Sequence, residues 1–213
     1  RGARSWFLGG VFLNYNGSYL ERAREQMLDE ADSPEVTRFL RAVDVRIDGF
    51  RVEKAPEGRG QRVFVRHDVE GKGYELRLSE ESAGTQKLMG LAAFLLAALE
   101  RGGTVVVDEL DAKLHPKLLR YVILLFKDPE VNKHGAQLIF SSQDVSTMRN
   151  DVFRRDEIWF AARGEGEASQ LWSLADIHEA NGNLVSKNAA FDKQYLSGRY
   201  GADPYLTRIE EWD

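Results

Sequence analysis

Cysteine is absent from the 213 residues, which excludes disulfides and thiolate metal sites and fits a reducing, cytoplasmic address. No run of about 18 apolar residues exists, so a membrane span is not expected. The richest apolar stretch, Leu88 to Leu99, is too short to cross a bilayer and reads as a buried helix. No secretory signal opens the chain. A strong charge of one sign is also lacking: the formal net charge is −5, so the molecule as a whole is no magnet for polyanions. Arginines at 1, 4, 22, 24, 38 and 41 crowd the beginning, but Glu21, Glu25 and Glu35 interleave with them, the pattern of a solvated helix face. Finally, no G-x-x-x-x-G-K-[ST] loop occurs. Gly9-Gly10, Gly58 and Gly60 lack the lysine that such a loop requires. The chain begins at Arg1 and not at Met, and further sequence upstream is expected.

Ordinary apolar content predicts a packed core. Tyr19 to Glu30 has the composition of a surface helix, and Ser33-Pro34-Glu35 starts a second one that runs to about Val43. Phe50–Lys54, Gln61–Asp68 and Tyr74–Leu78 read as strands separated by glycine-bearing turns, an antiparallel meander. From Ser79 the character changes. Ser82 can cap a long helix that Gly102-Gly103 closes. Thr104 to Val107 is a β-branched run suited to a strand buried on both faces. Pro116 opens a further helix, while Gln137–Phe140 and Glu157–Ala161 read as two more short buried strands, with Gln170–Leu174 as a candidate at the sheet edge. Asn188 to Leu196 reads as helix. Strands alternating with helices predict a wound parallel α/β sheet. The expected organisation is a helical segment over 1–49, a β meander over 50–78 and an α/β lobe over 79–213.

Two motifs carry chemistry. Val105-Val106-Val107-Asp108-Glu109 is a buried strand ending in two acids, which places carboxylates at the C-terminal edge of a parallel sheet, where α/β proteins bind ligands. Glu81-Ser82-Ala83-Gly84-Thr85 precedes an apolar helix. A plain helix cap explains it, yet free amides and the helix dipole at such a start also suit a phosphate, and Gly84 permits close approach. His67, His134 and His178 are dispersed without ligand spacing and read as surface or structural residues. Trp159 and Trp172 read as core, and Arg154 and Arg155 as partners of nearby acids.

The order of these motifs resembles the ABC-type ATPases. Glu81 to Thr85 resembles their signature loop, and Asp108-Glu109 their Walker B acids. Asp111-Ala112-Lys113-Leu114-His115-Pro116 is similar to the D-loop of SMC-like and overcoming-lysogenization-defect ATPases, and Ile139 to Asp144 to the switch segment. Phe153 to Phe160 and Tyr195 to Ala202 resemble a narrower group, the bacterial AAA/ABC-like ATPases of abortive infection and antiphage defence, often encoded beside a nuclease. Three departures stand out: the absent Walker A loop, expected to lie upstream; Gln143 where many relatives have histidine; and Thr85 in place of glutamine.

The resemblance implies the C-terminal portion of a P-loop NTPase head of ABC type, using ATP and Mg²⁺. Two heads would sandwich the nucleotide, so a homodimer or higher oligomer is implied. Ser82, Ala83, Gly84 and Thr85 would meet the γ-phosphate held by the partner head. Asp108 would hold Mg²⁺ through water, Glu109 would act as general base, and His115 and Gln143 would line the interface. Without a phosphate cradle, these residues alone are expected to hydrolyse little ATP. The implied partner is a co-encoded nuclease or toxin effector, with DNA a further candidate and no membrane. Competing readings are an SMC-like ATPase of DNA repair or maintenance and a nucleotide-binding scaffold without turnover. A metal nuclease using Asp108 and Asp111 would leave the signature loop unexplained.

Overall fold

A computed structural model describes residues 11–14, 34–43, 47–54, 61–163 and 168–202. The expected helix over Tyr19 to Glu30 lies outside them. The chain forms two compact units, Arg1–Gln143 and Asp144–Asp213.

The first unit is organised on a parallel sheet of three strands in the order β1-β5-β6, formed by Val11–Asn14, Thr104–Val107 and Gln137–Phe140. Residues 1–49 were expected as a helical segment, with helices at Tyr19 to Glu30 and from Ser33 to about Val43; β1, Val11–Asn14, is a strand that this expectation did not include. A short apolar run such as Val11-Phe12-Leu13 has no periodicity that separates a buried strand from a buried helix turn. In β5, Thr104, Val105 and Val107 are buried, as the β-branched run predicts for a strand with neighbours on both sides. β6 departs from its expected burial. It lies at the edge of the described sheet, and Ile139 is 56% exposed.

Helix α1, Pro34–Ala42, lies against α2, Ala83–Arg101, which in turn packs on β5. Leu88, Leu91, Leu95 and Ala98 of α2 are almost wholly buried, so this is a core helix with apolar residues on most of its circumference. Its ends are set by local chemistry. The Ser82 hydroxyl accepts a bond from the Thr85 amide at 3.1 Å, and Gly102 terminates the helix in the left-handed conformation at φ 72°. A Cβ at Gly102 would lie 2.4 Å from the His134 carbonyl oxygen, so the close approach also requires glycine. Helix α3, Pro116–Lys127, begins with proline at its first turn and packs on β6.

The meander is present as expected: β2 (Gly49–Lys54), β3 (Gln61–Val69) and β4 (Lys72–Arg77) pair antiparallel. Val69 and Lys72 pair across a turn of two residues, Glu70 and Gly71, both at positive φ, the conformation that matches strand twist in hairpins. Arg51 binds Glu75 at 2.8 Å and lies over the Phe64 ring at 4.2 Å.

In the second unit, β7 (Trp159–Arg163) and β8 (Ser169–Ser173) form their own antiparallel pair, joined in the fold by the short helix α4, Phe191–Leu196. Among the described residues neither strand joins the parallel sheet, which corrects the expectation for both. The alternation explains it: Phe160 is buried while Trp159 is 57% exposed, as in a two-stranded sheet with one face on a core. Trp159 is therefore not the core residue expected. Trp172 is half-buried and packs against the core cluster of Ile158, Phe160, Leu174, Val185, Phe191 and Tyr200.

Candidate functional site

The C-terminal ends of β5 and β6 lie side by side, with Val107 opposite Phe140. β5 runs directly into a turn and β6 into an irregular segment, and the two interlock. The Ser141 amide donates to the Val107 carbonyl at 3.1 Å, and the Leu110 amide donates to the Ser141 carbonyl at 3.0 Å. Leu110 is fully buried and pins the chain immediately after the acid pair. The acids themselves are left outside the core: Asp108 is exposed and Glu109 half-buried.

Ser141 organises both. Its hydroxyl donates to Asp108 Oδ1 at 2.5 Å and accepts from the Glu109 amide at 2.7 Å, which one O–H and its lone pairs can do together. The resemblance places Ser141 in the switch segment and gives it no role. Its role depends on strand register, which the sequence does not display.

Glu109 has φ 48°, and Lys113 has φ 66°. Non-glycine residues adopt this left-handed region at a cost of about 1–3 kcal/mol each and persist there only where neighbours fix them. At Glu109 the neighbours are evident. Its amide is held by Ser141, and its carbonyl accepts from the Ala112 amide at 3.0 Å and from Lys87 Nζ at 2.5 Å. Asp111 accepts from the Gln143 amide through Oδ2 at 3.3 Å, while its Oδ1 is buried with no hydrogen-bond partner among the described residues. The structure thus brings Asp108, Glu109, Asp111, Ser141 and Gln143 to one sheet edge. The Gln143 residue is exposed, and its backbone makes the contact with Asp111. His115 is exposed and caps α3, its Nδ1 accepting from the Lys117 amide at 3.1 Å.

The start of α2 is open to solvent at Ser82 and Ala83 and half-buried at Gly84 and Thr85. Because Ser82 takes up the Thr85 amide, the N–H groups of Ala83 and Gly84 are the ones without an intrahelical acceptor. A Cβ at Gly84 would sit 2.9 Å from the Lys113 carbonyl oxygen, so the helix start rests directly on the turn that follows the acids. Glu81, just ahead of the cap, lies 2.5 Å from His67 Nε2 on β3. His67 was expected to be structural or superficial, and this contact gives it a place beside the loop.

The donor set can be tested against a divalent cation. Among the described residues no three acidic or histidine side chains form a cage. Asp108 is an exposed carboxylate with one oxygen oriented by Ser141, which suits Mg²⁺ held by one carboxylate, waters and a nucleotide's phosphates. It does not suit an all-protein site.

The acid pair stands at the C-terminal edge of a parallel sheet, beside a capped helix start, the place where proteins of the open α/β class bind ligands. Within that class, the sequence profile of the family described as "AAA domain, putative AbiEii toxin, Type IV TA system" matches residues 7–149, and the chain belongs to that family. No curated protein matches the chain. Among solved structures, one that is similar is a Smc head domain with an extended coiled coil, bound to the C-terminal domain of ScpA, from Pyrococcus furiosus. The identity is 18% and the TM-score 0.44, over 72% of this chain and 37% of the other. No helix among the described residues is long and apolar enough to cross a membrane.

Proposed function

We propose that this chain is part of an ABC-type ATPase that binds and hydrolyses ATP between two heads. The observation that carries the reading is the pairing on one body of an oriented acid pair with an open helix start. In this arrangement Asp108 would hold Mg²⁺ through water, with the Ser141 hydroxyl keeping its carboxylate oriented. When bound, the ion neutralises phosphate charge. Glu109, projecting from a backbone held at both its N–H and C=O, orients the attacking water and takes its proton. The amides of Ala83 and Gly84, with Ser82 and Thr85, face a γ-phosphate bound to the second head. His115 and Gln143 line that interface. The phosphate cradle itself is contributed from outside these 213 residues, because none of them supplies the required motif.

Hydrolysis removes the charge that bridges the heads, so they separate, and this two-state cycle gates a partner. The partner proposed is a nuclease or toxin effector in antiphage defence, a reading supported by the toxin and toxin–antitoxin wording of the family description. The test uses the intact protein. It should hydrolyse ATP in Mg²⁺, form ATP-dependent dimers by light scattering, and lose both properties in EDTA. Turnover that persists in EDTA, or dimers indifferent to nucleotide, would overturn the reading.

A further inference from the structure

Lys87 stands one turn into α2, between the signature-like loop and a run of buried leucine, methionine and alanine. The two residues that follow it, Leu88 and Met89, are core residues, yet Lys87 itself is only half-buried and carries an ammonium. Partial burial of that charge is unfavourable unless its donors are used. They are used on backbone: Nζ donates to the Glu109 carbonyl at 2.5 Å and to the Ala112 carbonyl at 3.0 Å. Both acceptors belong to the turn that carries the acid pair. Burial pushes the ammonium below the ordinary lysine range, and the carboxylates of Asp111, Glu109 and Asp108 oppose that shift while Lys113 adds to it.

This arrangement goes beyond filling space. A lysine serving only to pack could be replaced by an apolar side chain of similar length with little loss, and often with gain. Here the ammonium binds the carbonyl of a residue in a costly backbone conformation, Glu109 at φ 48°. It also bridges that carbonyl to a second one three residues on, closing the turn from the α2 side. A few residues earlier, Gly84 makes the other contact between the same two elements, against the Lys113 carbonyl.

We propose that Lys87 is a positioning residue: it holds Glu109 in its left-handed backbone geometry and clamps the start of α2 to the acid-bearing turn. The inference rests on the proposed ATPase reading and deepens it. In a head-to-head sandwich, the loop at Ser82 and the acids at Asp108 and Glu109 serve two different nucleotides. A rigid link between them within one chain makes the state of one nucleotide felt at the other. Lys87 touches neither nucleotide in this scheme and acts through Glu109.

The test compares Lys87→Met and Lys87→Arg with the unaltered intact protein, by steady-state ATP hydrolysis and by amide hydrogen exchange. Lys87→Met should lower kcat by about tenfold or more with KM for ATP within about twofold, the mark of lost transition-state positioning and not of lost binding. Lys87→Arg, which keeps charge and donors, should recover kcat to within about threefold. In Lys87→Met the amides of Ala112 and Leu114, which close the turn on Glu109 and Asp111, should exchange about tenfold faster. If Lys87→Met does not fold, Lys87→Gln takes its place with the same expectations. Unchanged kcat and unchanged exchange would overturn the proposal. A uniform rise in exchange across the first unit would also overturn it, since that marks general destabilisation. If the unaltered protein shows no turnover, the ATPase reading fails, while the exchange comparison still decides whether Lys87 clamps the turn.

Discussion

Glu109→Gln in the intact protein is expected to lower kcat for ATP hydrolysis by on the order of 10²–10⁴, the contribution of a positioned general base. ATP binding should survive, and dimers formed in ATP and Mg²⁺ should persist. The asymmetry follows from where the charge sits. Glu109 is held through its backbone by Ser141, Lys87 and Ala112, so the amide side chain inherits the same geometry. What disappears is the capacity to take a proton from water. In the proposed sandwich, nucleotide affinity would come from phosphate contacts elsewhere, so the nucleotide should stay and the heads should remain closed around it. The measurement is rapid-quench hydrolysis together with sizing of the nucleotide-bound species. A nucleotide-binding scaffold without turnover would show no difference between the two proteins.

Leu110→Ala should destabilise the first unit by about 2–5 kcal/mol, the usual range for emptying a leucine site in a core that relaxes only partly. Leu110 is fully buried, immediately after two residues that are not. Its amide is bonded to the Ser141 carbonyl, so the side chain and the backbone both fasten the turn to β6. Loss of this anchor should therefore appear as a lower urea midpoint with little change in slope. An unaltered midpoint would mean that the acid pair is not held by the core beneath it.

The acid pair and the helix cap were legible because each rests on local chemistry. A β-branched run followed by Asp108-Glu109 states its own strand and strand end, and Ser82 before an apolar helix states its own cap. The same holds for the turn at Glu70-Gly71 and for Gly102 as a helix terminator. What escaped was set by register and pairing. Nothing in Val11-Phe12-Leu13 says that it lies parallel to Thr104-Val105-Val106, more than ninety positions away. Ser141 reaches Asp108 only because β6 pairs with β5 in one of several registers. Nothing in the sequence sets Lys87 apart from the rest of its helix, and its meaning appears only once the turn after β5 is folded against α2. The strands at Glu157–Ala161 and Gln170–Leu174 were recognised as strands but assigned to the wrong sheet. A short strand encodes its own face pattern and not its partner's identity.

The measurement that bears most directly on the account is complementation between two inactive variants of the intact protein, Glu109→Gln and Ser82→Arg. In a sandwich, each nucleotide site takes its acids from one head and its helix start from the other. Mixed dimers would then contain one site that carries both defects and one that carries neither. With random pairing, the mixture should regain roughly a quarter of the unaltered rate. A mixture as inactive as its components would contradict the account, because it would place Ser82 and Glu109 at the same nucleotide.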